Sequence, residues 1–323
     1  MNSLQEIAGV LRKCKRAVVC GHMMPDGDSI GSVLAMRLLL AEVGLETQVL
    51  TVDRIPNLYS FLPGVEHFVP FSGKHEECDL AVVIDCTDLN RLGGDLGQFI
   101  SHLPVVVNID HHVSNLEFGT YNYVDPSAAA AGEIVFRLIT EMQAELSPEI
   151  AVNLYTALTM DTGSFKFDNT TEKTHNIVAE LYQTGIDVAE INRHLFANKD
   201  FIQLKLMGYA LAQLKTTAEG RIAWITIPLK VFHELGAQEE HADGIINYPR
   251  MVNGAEVGIL FREISPGKFK VGFRSKNLVD VNQLASMFGG GGHPKASGCT
   301  IEGTIEEVEK KVIDLSVDHL LKE

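Results

Sequence analysis

Three short, continuously apolar runs constrain this chain more than any other feature: Arg16 to Gly21 (RAVVCG), Leu80 to Ile84 (LAVVI) and Val105 to Ile109 (VVVNI). A run without polar alternation has no face to give to water, so its strand must be covered on both sides. Such strands belong to parallel sheets sandwiched between helices. The cover is written nearby as helical segments: Ser29 to Val43, stopped by Gly44; about Ala128 to Gln143; Pro148 to Met160, with Ser147 placed to cap it; and His175 to Gln183. Glu46 to Val52 reads as a further strand. The expected fold class is therefore α/β, with an N-terminal parallel sheet carrying helices on both faces.

The pattern restarts after Gly220. Strands are expected at Arg221 to Ile227, Glu256 to Arg262 and Lys268 to Arg274, the last two joined by a Ser265-Pro266-Gly267 turn. A short helix over Asn282 to Phe288 leads into Gly289-Gly290-Gly291-Gly292, and Ile305 to Leu321 reads as an amphipathic helix. The stretch 189–214 has helical spacing and no strand signal. These readings divide the 323 residues into a first domain at 1–188, a helical linker at 189–214 and a smaller α/β domain at 215–323.

Composition narrows the function. Apolar residues make up 46% and charged residues 21%, a balance that buries sizeable cores. The opening MNSLQEIAGVLRKCKR lacks the apolar stretch of a signal peptide, and the greasiest run, Val33 to Ala41, is broken by Arg37 and is too short to span a membrane. Cys14, Cys20, Cys78, Cys86 and Cys299 form no CxxC pair, as suits free thiols in a reducing compartment; the cytoplasm is expected. A net charge of −15 excludes a general basic grip on long nucleic acid. One local basic patch is expected between Arg262 and Lys295, where six cations face two anions, and it suits small anionic substrates.

Chemistry-bearing residues follow the apolar runs. Gly21-His22-Met23-Met24-Pro25-Asp26-Gly27-Asp28 follows the first, Asp85 closes the second, and Asp110-His111-His112 closes the third; Asp161-Thr162-Gly163 follows the helix ending near Met160. Ligands of open parallel sheets bind outside the carboxyl ends of the strands, so His22, Asp26, Asp28, Asp85, His111 and Asp161 are expected in one crevice. Taken singly, each has an ordinary structural reading, such as an aspartate capping a helix. Together, four carboxylates would repel one another without cations. Oxygen and imidazole donors without thiolate suit Mn²⁺ and admit Mg²⁺, Co²⁺ or Zn²⁺, and so many anions call for two ions. Asp26 and Asp28, two apart in an extended turn, would face the same side, whereas adjacent His111 and His112 would point to opposite sides. The glycine run reads either as a floppy loop or as a backbone cradle for phosphate, with Arg274, His293 and Lys295 as neighbouring donors.

These segments resemble a known family. HMMPDGDSIGS (His22 to Ser32), Asp85, NIDHHVSN (Asn108 to Asn115) and DTGSF (Asp161 to Phe165) look like the motifs of DHH phosphoesterases, and FRSK (Phe273 to Lys276) with FGGGGHPKASG (Phe288 to Gly298) resembles the DHH-associated domain. The resemblance covers nearly the whole chain and is similar in layout to the nanoRNase/pAp-phosphatase subgroup. RecJ-type exonucleases are normally longer, and membrane-anchored cyclic-dinucleotide phosphodiesterases carry extra segments. The resemblance implies that His22, Asp26 and Asp85 hold one ion and that Asp28, Asp85, His111 and Asp161 hold another, with Asp85 shared. It implies that His112 contacts the scissile phosphate, that Asp110 orients a histidine, and that a two-metal-activated water attacks phosphorus. In the second domain, Arg274, Gly290, Gly291, Gly292, His293, Lys295 and Ser297 would hold the nonscissile part of the substrate, and Tyr248 to Arg250 resemble another segment near it.

The implied activity is hydrolysis of short oligoribonucleotides to mononucleotides and of 3′-phosphoadenosine 5′-phosphate (pAp) to AMP. Alternatives are a pApA phosphodiesterase, a family II inorganic pyrophosphatase, against which the GGGGH motif argues, and a non-catalytic nucleotide-binding regulator, which should lack a ligand. Expected partners are short RNA or small nucleotides and no membrane; monomer and homodimer both stay open.

Overall fold

The computed structural model describes residues 1–73, 77–217 and 219–320. The chain divides into two units, Met1–Asn198 and Lys199–Glu323.

The first unit runs α1 (Leu4–Leu11), β1 (Arg16–Cys20), α2 (Gly27–Glu42), β2 (Glu46–Thr51), β3 (Phe68–Pro70), β4 (Leu80–Ile84), α3 (Gly94–Ser101), β5 (Val105–Asp110), β6 (Tyr121–Val124), α4 (Ala131–Met142), α5 (Pro148–Asp161), α6 (Glu172–Gln183) and α7 (Val188–Asn192), with a π-helical turn at Arg193–Ala197. Its sheet has the order β3-β2-β1-β4-β5-β6, and every pairing is parallel. The unbroken apolar runs are explained by two cores. Ala17, Val19, Val82, Ile84 and Val107 pack on one face beneath residues of α1, α2, α4 and α5, while Val18, Cys20, Ala81, Val83 and Val106 pack on the other against Leu92, Leu96 and Ile100. Successive residues of one strand thus feed opposite cores.

Three helices on the larger core approach so closely that side chains must be absent at the contact. A Cβ on Gly31 of α2 would lie 2.4 Å from the Asn153 carbonyl oxygen of α5, and one on Gly132 of α4 would lie 2.7 Å from the Ala157 Cβ of α5. This packing brings the start of α2, the start of α4 and the end of α5 together.

The second unit contains α8 (Phe201–Ala212), β7 (Lys215–Thr216), β8 (Ile222–Ile227), α9 (Leu229–Leu235), α10 (Asn247–Met251), β9 (Val257–Ser265), β10 (Lys268–Ser275), α11 (Val281–Ser286), β11 (Gly291–His293), β12 (Ala296–Glu302) and α12 (Ile305–Leu320). Its sheet, β11-β12-β10-β9-β8-β7, is antiparallel except for β8 with β9. One face packs against α11 and α12 through Phe261, Phe269, Phe273, Leu284 and Val312; the other packs Ile225, Ile227 and Leu260 against Leu206, Ala210 and Phe232. The glycine run is not a floppy loop: Gly291 and Gly292 pair with Gly298 and Ser297 in β12. A Cβ on Gly290 would lie 2.2 Å from the Gly298 carbonyl oxygen. All five cysteines are free, and among the described residues no helix is long and apolar enough to cross a membrane.

Candidate metal centre

Strand β1 lies between β2 and β4, so the chain's order reverses there and a crevice opens beyond the carboxyl ends of β1, β4 and β5. His22 follows β1, Asp85 follows β4 and His111 follows β5, while α5 ends on Asp161. Asp26 caps α2, its carboxylate accepting the Asp28 and Ser29 backbone N–H groups at 3.0 and 3.1 Å. The Asp26-Gly27-Asp28 segment is therefore not an extended turn. Its two acids stay together because a cap and a first-turn residue share one helix end.

Ligand atoms of His22, Asp26 and Asp85 lie within 4.8 Å of one another, and so do those of Asp28, His111 and Asp161. A third such group, Asp85, Asp110, His111 and His112, overlaps them. His111 Nε2 stands 3.6 Å from Asp28 Oδ2, 3.6 Å from Asp85 Oδ1 and 3.7 Å from Asp161 Oδ2, while His22 Nε2 stands 3.3 Å from Asp85 Oδ2. Most of these separations are long for hydrogen bonds. They suit donors sharing an ion, because ligands about 2.1 Å from one cation lie roughly 3.0–3.5 Å apart.

Asp85 most clearly marks the crevice as one that could hold a cation. It is buried, its φ is +56°, and among the described residues its Oδ1 has no hydrogen-bond partner. A left-handed non-glycine residue costs about 1–2 kcal/mol, and an orphaned buried oxygen costs more. Its backbone N–H, donated to the Ile109 carbonyl at 3.0 Å, helps hold it there. The donor set thus fits divalent cations.

Charge inside the crevice is strongly perturbed. Burial opposes charge on His22, but the hydrogen bond and charge of Asp85 outweigh it and raise the imidazole to about 9. His111, likewise buried, is raised to about 10 by Asp85, Asp28 and Asp161. Burial pushes Asp161 up to about 6 despite His111. Burial and the charge of Asp85 raise Asp26 and, further, Asp28. Asp85 moves the other way: burial would raise it, but His111 and His22 hold it below the usual carboxylate range.

Asp28 has support that its sequence position alone did not reveal. Ser32 Oγ and the Gly132 N–H donate to Oδ1 at 2.8 and 3.0 Å, and the Ala131 N–H donates to Oδ2 at 2.7 Å. The start of α4 therefore holds this carboxylate. Serine four residues after an aspartate on a helix was the available signal for Ser32. No comparable signal marks residues 131 and 132.

His111 and His112 do not point apart. Strand β5 ends at Asp110, so pleat alternation stops there, and the two rings lie 4.5 Å apart. His112 Nδ1 meets Asp110 Oδ1 at 2.7 Å; Asp110 also accepts the His111 N–H at 2.8 Å and the Asn115 side-chain amide at 2.6 Å. Burial and Asp85 matter less for His112 than the Asp110 hydrogen bond, which raises its pKa.

In the second unit, Arg274 of β10 pairs with Ala296 of β12, which pairs with His293 of β11, so Arg274 and His293 share one sheet face across a small residue. Arg274 also pairs with Gly258 of β9, where a Cβ would lie 2.6 Å from the Arg250 nitrogen. Burial and the neighbouring Arg250 charge lower the Arg274 pKa. Lys295 Nζ donates to the Asn277 carbonyl at 2.6 Å, and the buried Ser297 hydroxyl donates to the Val281 carbonyl. The single basic patch expected between Arg262 and Lys295 is instead two groups. Arg262 and Lys270 pair with Glu239, and Lys268 with Glu302. Lys268 and Arg274 sit at opposite ends of β10, roughly 20 Å apart at about 3.4 Å per residue.

The sequence matches the DHH family, N-terminal domain, over residues 16–160 and the DHHA1 domain over residues 224–320. It is 31% identical to the bifunctional oligoribonuclease and PAP phosphatase NrnA of Thermus thermophilus, over 98% of this chain and 94% of that protein. It is 29% identical to NrnA of Bacillus subtilis, over 91% of each. A crystal structure of an exopolyphosphatase-related protein from Bacteroides fragilis superposes with a TM-score of 0.92 at 27% identity, covering 99% of this chain and 97% of that one. With both domains matched in order and a relative this similar along nearly its full length, the chain belongs to the DHH family.

Proposed function

We propose that the chain is a metal-dependent phosphoesterase that hydrolyses short oligoribonucleotides to mononucleotides and pAp to AMP. The observation that carries this reading is the meeting of His22, Asp26, Asp28, Asp85, His111 and Asp161 around an unpartnered buried Asp85 oxygen. In this reading His22, Asp26 and Asp85 hold one Mn²⁺, and Asp28, Asp85, His111 and Asp161 hold a second, Mg²⁺ or Co²⁺ being able to replace it. Two such ions would supply an ionised water near neutral pH and offset charge on the phosphoryl oxygens.

The remaining work falls to the chain's own groups. Asp110 engages His112 at Nδ1, so Nε2 is the atom left to meet the scissile phosphate. Asn115 fixes Asp110, and Ser32 and the start of α4 fix Asp28. We assign 1–188 as the catalytic domain, 189–214 as a helical linker and 215–323 as the substrate-binding domain. There Arg274, Gly290, Gly291, Gly292, His293, Lys295 and Ser297 hold a nonscissile phosphate and its nucleoside, supported by the shared face of Arg274 and His293. Free thiols and the charge balance fit a cytoplasmic enzyme.

A substrate panel tests the reading: pAp, pApA, RNA of two to ten nucleotides and pyrophosphate, each with Mn²⁺ after chelator treatment and dialysis. Mn²⁺-dependent release of mononucleotide is the expected result. Turnover of pyrophosphate alone, or undiminished activity without added metal, would reject it.

A further inference from the structure

The loop that follows Asp161 has a feature that neither metal binding nor phosphate binding uses. Gly163, Ser164 and Phe165 take three successive left-handed conformations, with φ of +56°, +62° and +61°. Two of these residues are not glycine, so the turn is held against its own preference. The holding bonds are in place. Ser164 N–H donates to the Thr159 carbonyl at 2.7 Å, the Lys166 and Phe167 N–H groups donate to the Thr162 carbonyl at 2.9 and 3.0 Å, and Asn169 donates to the Asp161 carbonyl at 3.2 Å.

The turn lays Phe167 on Gly163. A Cβ on Gly163 would lie 2.4, 2.5 and 2.6 Å from Phe167 Cζ, Cε1 and Cε2. Near-equal distances to these three atoms mean that the ring presents its face to Gly163, since an edge-on approach would leave both Cε atoms clearly farther than Cζ. One face of the ring is therefore occupied by the glycine, yet Phe167 remains 51% exposed. Two residues span at most about 7 Å, so the backbone beneath the ring lies within that distance of Asp161 Cα. A flat, anchored, half-exposed aromatic ring beside the candidate metal centre has the chemistry of a nucleobase platform: every base offers a π-face, and stacking needs no hydrogen-bond code.

We propose that Phe167 stacks on a nucleobase of the substrate and so sets the preference for nucleotides over other phosphate esters. The proposal rests on the phosphoesterase reading above. Short RNA of mixed sequence is then accepted without base selectivity, because the platform reads flatness rather than identity.

The test uses the full chain with Mn²⁺ and two substrates, pApA and the same dinucleotide with both bases replaced by hydrogen. Phe167→Leu keeps apolar bulk over Gly163 but has no flat face, whereas Phe167→Tyr keeps the face. Phe167→Leu should lower kcat/KM for pApA by about fivefold to a hundredfold, the range that base stacking spans. It should match wild type on the abasic dinucleotide, and Phe167→Tyr should retain wild-type activity on pApA. Equal losses on both substrates would show a structural role and overturn the proposal, as would no loss on pApA. If the wild-type protein hydrolyses no nucleotide, the phosphoesterase reading falls and this one falls with it; hydrolysis without the Leu–Tyr contrast removes the platform alone.

Discussion

Binding of Mn²⁺ to the metal-free protein should release at least two protons at pH 7.5. Without metal, and against the effect of burial, Asp85 raises His22 to about 9 and, with Asp28 and Asp161, His111 to about 10, so both imidazoles are charged at that pH. A metal-ligating imidazole must be neutral, so each ion displaces one of these protons. Stripping both at pH 7.5 costs roughly 5 kcal/mol at about 1.36 kcal/mol per pH unit. Little of that is lost to solvent screening, because the two side chains are only 10% and 13% exposed. Apparent affinity for each ion should consequently climb about tenfold per pH unit, and the product for the pair about a hundredfold, between roughly pH 7 and 8.5, the signature of one linked proton per ion. Titration calorimetry in buffers of different ionisation enthalpy reads the proton count as a slope. A slope near zero in protein that binds Mn²⁺ would refute the charged-imidazole picture of the metal-free protein.

The same groups govern stability without metal. The raised His22 and His111 contribute stability that is complete below about pH 6.5 and lost as pH rises through about 9 and 10, and Asp161 loses its share as pH passes about 6. In chelator, Tm should fall from pH 6 to 10, and Mn²⁺ should flatten the curve; a flat curve in chelator would count against these shifts. Gly31→Ala forces a methyl to within 2.4 Å of a backbone oxygen and should destabilise by about 1–3 kcal/mol in denaturant titrations, whereas an unchanged midpoint would mean that α2 and α5 slip apart freely. Asp85→Ala should abolish hydrolysis and lose far more than Asp110→Ala; wild-type activity at saturating Mn²⁺ would end the shared-ligand assignment. Arg274→Ala should lower kcat/KM for pApA by roughly tenfold to over a hundredfold, as loss of a charge-assisted contact implies, and should spare bis-p-nitrophenyl phosphate, which has no second phosphate. Parallel losses on both would remove its phosphate-holding role.

The central strands and the acids behind them were legible because both-face burial leaves an unmistakable pattern. Leu80–Ile84 is found where the sequence puts it, and β1 and β5 differ by a residue at one end. Edge strands β3, β6 and β11 were not legible: each has a single neighbour and no need of a continuous apolar run. In β11 the sequence is two glycines and a histidine, and close approach to β12 makes it a strand against propensity. Local periodicity also misjudged geometry where an element ends. Asp26 and Asp28 share a helix start, and the His111 and His112 rings lie side by side at a 58° tilt, because the alternation invoked for both pairs holds only inside a strand. Likewise, cations close in sequence on β9 and β10 became two separate groups once strand length was taken into account.

The order of strands in the first sheet also bears on synthesis. Strand β1 keeps one side open while β2 and β3 are made, because its other neighbour, β4, begins only at Leu80. The crevice gains Asp85 next, then His111, and Asp161 last, at the end of α5. A chain still on the ribosome therefore carries an acidic, half-built pocket until its first half has emerged, and under the proposed metal assignment it could hold both ions only afterwards. Domains fold as units and N-terminal first during translation, so under the proposed assignment metal loading would be a late event that reports completion of this unit.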